Sequence, residues 1–530
     1  MSEMLIIFAV IAFTCVVANT ISRKHGMPAL LLFMCLGMLF GSDGIFKIPF
    51  EDYDTLQQIS TVALIFIIFY GGFSTKWQTA KPVIKEATLL STVGVLLTAL
   101  LTCAFCYYVL YLNFAESFLI GATISSTDAA SVFSILRFNK LNLKYSTAPM
   151  LELESGSNDP FSYVLTIIGI AIYVGCGLET IPLLFIKQIL FGIGVGVVVA
   201  LLAVLLLKRT NLIASAGLSI FLIAGALFSF AFADVIDGNG LLSVYIFGII
   251  LGNAKIQDTK ALVNFFDNIT FMAQVLIFFM LGLTAFPRNI PQIFLVGTLI
   301  FLFITFVARP VSVFALLLPF KAKVNQCVLI SWAGLRGAAS IVFAAAVVAG
   351  VALPEKYDLF HIIFLIALLS VSIQGTLLPY VSRKLDMIDD KSDVTKTFND
   401  YQEELAFSLI EMNIDKNHIW KNKLIKDITF PENTLVITIK RGDKNLVPNG
   451  NTEILEGDNI VLNSPVYNSK AGVLDEILIN SKHKWKDKKI SEINLGEGKL
   501  IVMISRNGKT IIPKGRTVIK EGDTLVLYKE

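Results

Sequence analysis

From residue 4 to residue 381 the chain alternates between long apolar runs and short polar breaks. Thirteen runs stand out, near residues 4–22, 28–42, 57–73, 87–112, 117–136, 149–175, 181–207, 212–233, 239–253, 269–286, 291–318, 325–350 and 358–381. A helix needs about 20 apolar residues to cross a bilayer core, so the pattern predicts an α-helical polytopic membrane protein of about thirteen spans. The second, third and ninth runs are short and glycine-rich, and hydropathy alone leaves a count of twelve open. After Arg383 the pattern changes to alternating β-rich segments bounded by glycine turns, such as LVITIKRG (435–442) and LIVMISRNG (500–508).

Composition agrees with the class. Hydrophobic residues make up 55% of the 530, charged residues 16%, and mean hydropathy is +0.70, which excludes a soluble globular domain of this length. A net charge of +3 gives no support for nucleic-acid binding, but its distribution is informative. Loops after odd-numbered runs hold sixteen basic residues, among them Arg23, Lys76, Arg137, Lys140, Lys208, Lys255, Lys321 and Arg383. Loops after even-numbered runs hold three, Lys47, Arg288 and Lys356. By the positive-inside rule the N-terminus is expected outside and the C-terminal tail in the cytoplasm, in a cell (inner or plasma) membrane. The N-terminus lacks a basic n-region and a cleavage site, so the first run is expected to be a retained span. Six cysteines, Cys15, Cys35, Cys103, Cys106, Cys176 and Cys327, lack metal or haem spacing and are expected to pack as small hydrophobes.

Against this apolar background the charged residues inside the runs stand out. LESGSNDP (153–160) puts Glu154, Asn158 and Asp159 into the sixth run. An ionised carboxylate in lipid costs several kcal/mol unless paired, so such residues mark a site for a cation or a proton, or a structural ion pair. At a helical rise of about 1.5 Å per residue Asp159 lies about 15 Å deep. Asp128 in the fifth run, Arg309 in the eleventh and Arg336 in the twelfth fall at similar depth. The fifth run reads GATISSTDAASVF (121–133), whose hydroxyls compete with backbone hydrogen bonds. The twelfth reads SWAGLRGAASIVF (331–343). An unwound turn in each would free carbonyls to coordinate a cation. DAASVF (128–133) and GAASIVF (337–343) echo each other seven runs apart, so the two cross the membrane in opposite directions. That is the trace expected of inverted repeats whose broken helices cross at a substrate site.

STDAASVF, ESGSNDP, ARP (308–310) and GLRGAAS (334–340) together resemble the monovalent cation/proton antiporters of the NhaP type. The resemblance covers the whole membrane part, with the motifs in order. It implies that Asp159 exchanges cation and proton, with Asn158 beside it and Thr127, Asp128 and Ser155 at the ion site. Asp159 and Asp128 are thus the carboxylates expected to meet the metal cation. Glu154 matches a glutamate paired with a core arginine, Arg309 being the first choice and Arg336 the second. One departure is visible: many members carry an acid near the end of the third span, where this chain has Tyr70. The resemblance also implies a homodimer, and K+ or Na+ with H+ as the transported ions, with no tightly bound cofactor.

The chemistry can be argued from the residues as well. Glu154 with Asn158, and Ser155 with Asp159, are spaced i and i+4, so four polar groups share adjoining helix faces. Burial disfavours an ionised Asp159, and either a proton or a cation relieves that cost, so the two compete for one carboxylate. Asn158 does not titrate, which makes one proton per cation the simplest stoichiometry and exchange electroneutral; a second proton on Asp128 would change that. Lys187 can snorkel from its span, and His361 lies near an outer end.

The tail repeats itself at an offset of 65 residues: His418–Leu462 aligns without gaps to His483–Leu527, with 20 identities in 45 positions. The copies resemble tandem RCK C-terminal (TrkA-C) domains, which implies two small α+β cytoplasmic domains that sense a ligand. The expected layout is an exchanger domain at 1–385, a linker at 386–402 and modules at 403–466 and 467–530. A cyclic dinucleotide such as cyclic di-AMP is the ligand the resemblance suggests, and His418 and His483 are candidates to meet it or to report pH. Two other readings differ in class: a ligand-gated cation channel, which lacks a TVGYG-like filter here, and a sensor that has lost transport.

Overall fold

In the computed structural model, helices occupy each of the thirteen apolar runs. The structure describes residues 2–25, 28–50, 52–139, 141–209, 215–254, 256, 259–351, 358–389, 407–416, 418–430, 434–442, 444–465, 473–480, 483–493, 495, 499–506, 509–511 and 513–529. Lys140, Lys255 and Lys356 of the charge pattern, and residues 390–402 of the expected linker, lie outside the described residues. Two compact units result, Met1–Gln402 and Glu403–Glu530.

The first unit begins with α1 (Ser2–His25), α2 (Ala29–Phe40), α3 (Tyr53–Ser74) and the short α4 (Trp77–Ala80). Next, α5 (Ile84–Leu89) runs into α6 (Val95–Tyr108) through a π-turn at Leu90–Gly94. The fifth run is interrupted: α7 (Phe114–Ile124) stops, Ser125–Asp128 is non-helical chain, and α8 (Ala129–Phe138) resumes. The continuous α9 (Thr147–Val174) carries the ESGSNDP motif, and Asn239 donates to the carbonyl of Pro160 within it. The long α10 (Ile181–Arg209), α11 (Ser215–Val235), α12 (Gly240–Asn253) and α13 (Thr259–Thr284) follow. Then α14 (Ile290–Phe303) meets α15 (Arg309–Leu317) through a π-turn at Ile304–Ala308. The twelfth run is again interrupted, between α16 (Val324–Trp332) and α17 (Ala338–Gly350), and α18 (Leu359–Leu369) and α19 (Thr376–Lys384) close the unit around a π-turn at Ser370–Gly375.

The interruptions and two of the three π-turns fall at matching places; the third, in the thirteenth run, has no counterpart in the continuous α9 of the sixth. Fifth and twelfth runs are both broken, and fourth and eleventh both carry a π-turn, each pair seven runs apart. Inverted repeats have this correspondence. Among the described residues seven helices are long and apolar enough to cross a membrane by themselves. The apolar side chains of this unit pack on one another in its interior, while Phe13, Leu190 and Leu295 are exposed on its outside, as expected of a surface that faces lipid rather than water. One cysteine departs from expectation: Cys176 lies past the end of α9 and is exposed, because the apolar run stops just before it.

The second unit holds two antiparallel sheets of the same design. The first contains β1 (Phe407–Asn413), β2 (Leu435–Arg441), β3 (Lys444–Leu446) and β4 (Asn459–Pro465) in the order β1-β4-β2-β3. The second contains β5 (Val473–Leu478), β6 (Lys499–Arg506), β7 (Lys509–Ile511) and β8 (Thr524–Lys529) in the order β5-β8-β6-β7. A bulge sits at matching positions, between Val436 and Thr438 and between Ile501 and Met503. Among the described residues the helical part of each copy is one 3-10 turn, Ile425–Asp427 or Ile490–Glu492. Asp458 and Asp523 of the two GD pairs are completely buried, each gripped through two oxygens by an arginine, Arg441 or Arg506, at 2.7 to 2.8 Å.

Candidate functional site

The two broken runs meet at their interruptions. Asp128 N–H donates to the carbonyl of Leu335 at 2.8 Å. Arg336, from the other break, sends Nη1 back to the carbonyls of Ser125 and Ser126 at 2.7 and 2.8 Å. Its own backbone N–H is taken by Ser370 Oγ at 3.0 Å, and Ser370 donates to Gln374 Oε1 at 2.6 Å. Breaking the fifth run does free carbonyls, but a buried carbonyl needs a donor, and those of Ser125 and Ser126 receive theirs from Arg336. Thr127 O likewise accepts from Ser155 Oγ at 2.7 Å.

Helix α9 lies against the crossing and supplies the remaining groups. Asn158 Nδ2 donates to Thr127 Oγ1 at 2.5 Å, and Ser126 Oγ donates to Asp159 Oδ1. Asn158 Oδ1 is buried and, among the described residues, has no hydrogen-bond partner. Asp128 also caps α8, accepting from Ser131 N–H at 3.2 Å and from Ser131 Oγ at 2.5 Å. On the next face of α9, Glu154 Oε1 is 2.6 Å from Arg309 Nη2, with both side chains at most 3% exposed. Arg309 follows directly on the π-turn of the eleventh run and passes over Gly334 of the twelfth. Glu154 is therefore held by Arg309, while Arg336 serves the crossing.

Asp159 is half-buried and opens into a cavity of about 410 Å³ that Thr127, Asp128 and Ser155 also line. Two further carboxylates line it that the motifs do not mark. Glu152 stands two residues before the ESGSNDP motif. Asp267, on α13, accepts from Tyr70 Oη at 2.9 Å. Asp267 falls two residues short of the apolar run at 269–286, because Asn264, Asp267 and Asn268 lower hydropathy there although the helix starts at Thr259. Tyr70, read as the absence of an acid, is thus in direct contact with one.

The other candidates lie elsewhere. Lys187 is 3.7 Å from Asp237, and His361 is buried, its Nδ1 2.5 Å from Asp358 and its Nε2 accepting Phe286 N–H at 2.8 Å. In the tail, His418 and His483 play one role twice. Each ring meets the tryptophan two residues on edge-on at 5.2 and 5.1 Å, and each Nδ1 accepts that tryptophan's backbone N–H, at 3.2 and 3.3 Å.

Comparison with known proteins gives this geometry its relatives. Residues 409–463 and 474–528 each match the TrkA-C domain. A K(+)/H(+) antiporter NhaP2 of Shewanella sp. (strain ANA-3) is 32% identical, over 86% of this chain and 79% of its own length. A low-affinity Na(+)/H(+) antiporter NhaS1 of Synechocystis sp. is 25% identical over 74% of the chain and 76% of its own length. The solved sodium proton antiporter MjNhaP1 from Methanocaldococcus jannaschii shares the fold, with a TM-score of 0.64 over 72% of this chain and 99% of that one, at 24% identity. Residues 9–384, the whole helical unit with its crossing and cavity, match the transmembrane sodium/hydrogen exchanger model, and the chain belongs to that family.

Proposed function

We propose that the protein is a secondary active antiporter that exchanges K+ or Na+ for H+ by competition at Asp159. The observation that carries this reading is the environment of that carboxylate. It opens into a cavity, touches Ser126 of the break, and has as helix neighbours an amide that does not titrate and a glutamate already neutralised by Arg309. With Glu154 paired, Asp159 is the carboxylate of the ESGSNDP motif left to a mobile cation. A proton or a metal ion can satisfy it, and the empty charged state is the costly one, so neither ion leaves without the other arriving. The oxygen donors within reach are Thr127, Ser155, Asn158 and Asp128. One carboxylate exchanging one proton for one monovalent cation moves no net charge.

The names of the relatives favour potassium: the 32%-identical protein is a K(+)/H(+) antiporter, the 25%-identical one exchanges sodium. In the thirteen-span reading with the N-terminus outside, the cavity opens to the cytoplasm, since Asn19, Glu152 and Asp267 lie toward helix ends whose loops carry the bases. Homodimerisation, and regulation through the tandem TrkA-C modules by a small ligand such as a cyclic dinucleotide, belong to the same reading.

The test is cation-driven proton movement in inside-out vesicles, with K+ and Na+ added separately to wild type and Asp159→Asn. Collapse of the pH gradient in wild type alone, without a change in membrane potential, is the expected result and names the ion. An Asp159→Asn variant that exchanges like wild type would overturn the site.

A further inference from the structure

The duplicated tail is an internal control for charge. In both copies a segment that starts at the histidine (418–427 or 483–492) runs beside the P-x-G turn (448–457 or 513–522) to form a two-stranded ledge. The backbone of this ledge is the same twice over. Asn422 N–H to Ile454 O and Asp487 N–H to Ile519 O are both 2.8 Å, Lys426 N–H to Gly450 O and Ser491 N–H to Gly515 O both 2.9 Å, and Leu424 bridges Glu453 as Lys489 bridges Val518. The charges on it are not the same. The first ledge carries three basic residues (Lys421, Lys423, Lys426) and three acidic ones (Asp427, Glu453, Glu456). The second carries seven basic residues against three acids, Asp487, Glu492 and Glu521. Asn449 and Asn451 of the first turn become Lys514 and Arg516, and Leu455 becomes Lys520.

A surplus that the same backbone does without in its twin is not there to hold the fold. Lys484, Lys488, Lys489, Lys514, Arg516 and Lys520 are all exposed. Among the described residues Lys484, Lys488, Lys514 and Arg516 have no ion-pair partner; Lys486 is paired with Glu521 at 2.6 Å.

We infer that the ledge of the second module is an electrostatic docking surface for the anionic phospholipid headgroups of the membrane in which the chain is anchored. Two observations favour lipid over a free ligand. The bases are exposed and spread along two segments, which suits an extended anionic surface. And 22 residues separate Lys384, at the end of the last span, from Phe407, so the tail is tethered beside such a surface at high effective concentration. A basic residue near an anionic leaflet gains about 1 kcal/mol at low salt, about five-fold in the docking equilibrium, and the attraction decays within a Debye length. The inference rests on the membrane setting of the chain and is independent of which ion Asp159 exchanges.

The test is hydrogen–deuterium exchange of the full-length protein in lipid nanodiscs, made of phosphatidylcholine alone or with phosphatidylglycerol. The expected result is slower exchange of 513–522 with phosphatidylglycerol, lost at high salt, absent in Lys514→Asn/Arg516→Asn, and absent at 448–457. Those substitutions install residues the first copy already carries, and unchanged exchange of β6 and β8 reports an intact module. The reciprocal Asn449→Lys/Asn451→Arg protein should gain protection at 448–457, which misfolding cannot mimic. No dependence on phosphatidylglycerol, or equal protection of both ledges, overturns the inference. So does equal protection by soluble glycerol phosphate in phosphatidylcholine discs, which would make the ledge a small-anion site.

Discussion

Glu154 and Arg309 form an ion pair 2.6 Å long between side chains that are 1% and 3% exposed, joining α9 to α15. A buried pair of this kind adds little net stability against an apolar pair of the same size, but removing one partner strands the other charge, at about 3–5 kcal/mol. Arg309→Leu and Glu154→Leu should each lower thermal stability in detergent and expression in the membrane, and the double variant should recover much of the loss. Asp159→Asn, which neutralises a group facing a cavity, should leave stability near wild type while ending exchange. Thermal denaturation of the three variants beside that of Asp159→Asn separates a structural pair from the carboxylate proposed to exchange.

Gly337 caps α17 where Asp128 caps α8. A Cβ on residue 337 would fall on the Asp128 side chain, with Cγ only 2.6 Å away. Gly337→Ala should therefore displace the carboxylate from the break or part the two broken helices. Gly334→Ala should press on Arg309, since its Cβ would sit 2.8 Å from Nε. Expected outcomes are a loss of exchange of at least ten-fold for both, with a larger stability loss for Gly334→Ala, whose neighbour cannot leave Glu154. Exchange assays and melting curves run in parallel check this.

The crossing was legible because small and hydroxyl residues surround Asp128 and Arg336 at matched places in runs of opposite direction. The duplicated tail was legible because its two sheets keep the turn residues PxG and GD. What the sequence hides is who satisfies whom. That Arg336 closes over the carbonyls of Ser125 and Ser126 depends on a contact across more than 200 residues, and nothing local to either break announces it. Asp267 was hidden for another reason. A polar residue inside a helix that faces a water-filled cavity looks, in a hydropathy profile, like the start of a loop, so Asp267 fell outside the tenth run.

In the tail, Asp458 and Asp523 give a pH dependence whose sign can be stated. Burial pushes each carboxyl up, but hydrogen bonds from Arg441 or Arg506 and from a backbone N–H outweigh it and hold both below the usual carboxylate range. A depressed folded pKa contributes stability above the unfolded value, near 3.9, and that stability is lost as pH falls through the folded one. The stability these two carboxylates contribute should thus be unchanged between about pH 7 and 5 and be lost in stronger acid. Arg506 is 25% exposed and Arg441 37%, so Arg506→Met should cost more than Arg441→Met, about 3 against about 2 kcal/mol once solvent screening is allowed for. Trp420 and Trp485, one in each copy, make tryptophan fluorescence of single-tryptophan variants the readout.

Tyr70 and Asp267 give the prediction that reaches furthest into transport. Asp267 lines the cavity that leads to Asp159, with one oxygen accepting from Tyr70. A carboxylate so placed raises the local concentration of cations without exchanging a proton for them, an effect of about 1 kcal/mol at low salt. Asp267→Asn should therefore raise the KM for the cation about five-fold, with maximal rate within two-fold of wild type, and high ionic strength should shrink the difference. Tyr70→Phe removes a donor and keeps the carboxylate, so its KM should stay within two-fold of wild type. If Asp267→Asn instead abolishes exchange as Asp159→Asn is expected to, the exchanging site includes α13, and the oxygen set drawn from the fifth and sixth spans is incomplete. Initial rates against cation concentration at two salt levels distinguish the outcomes.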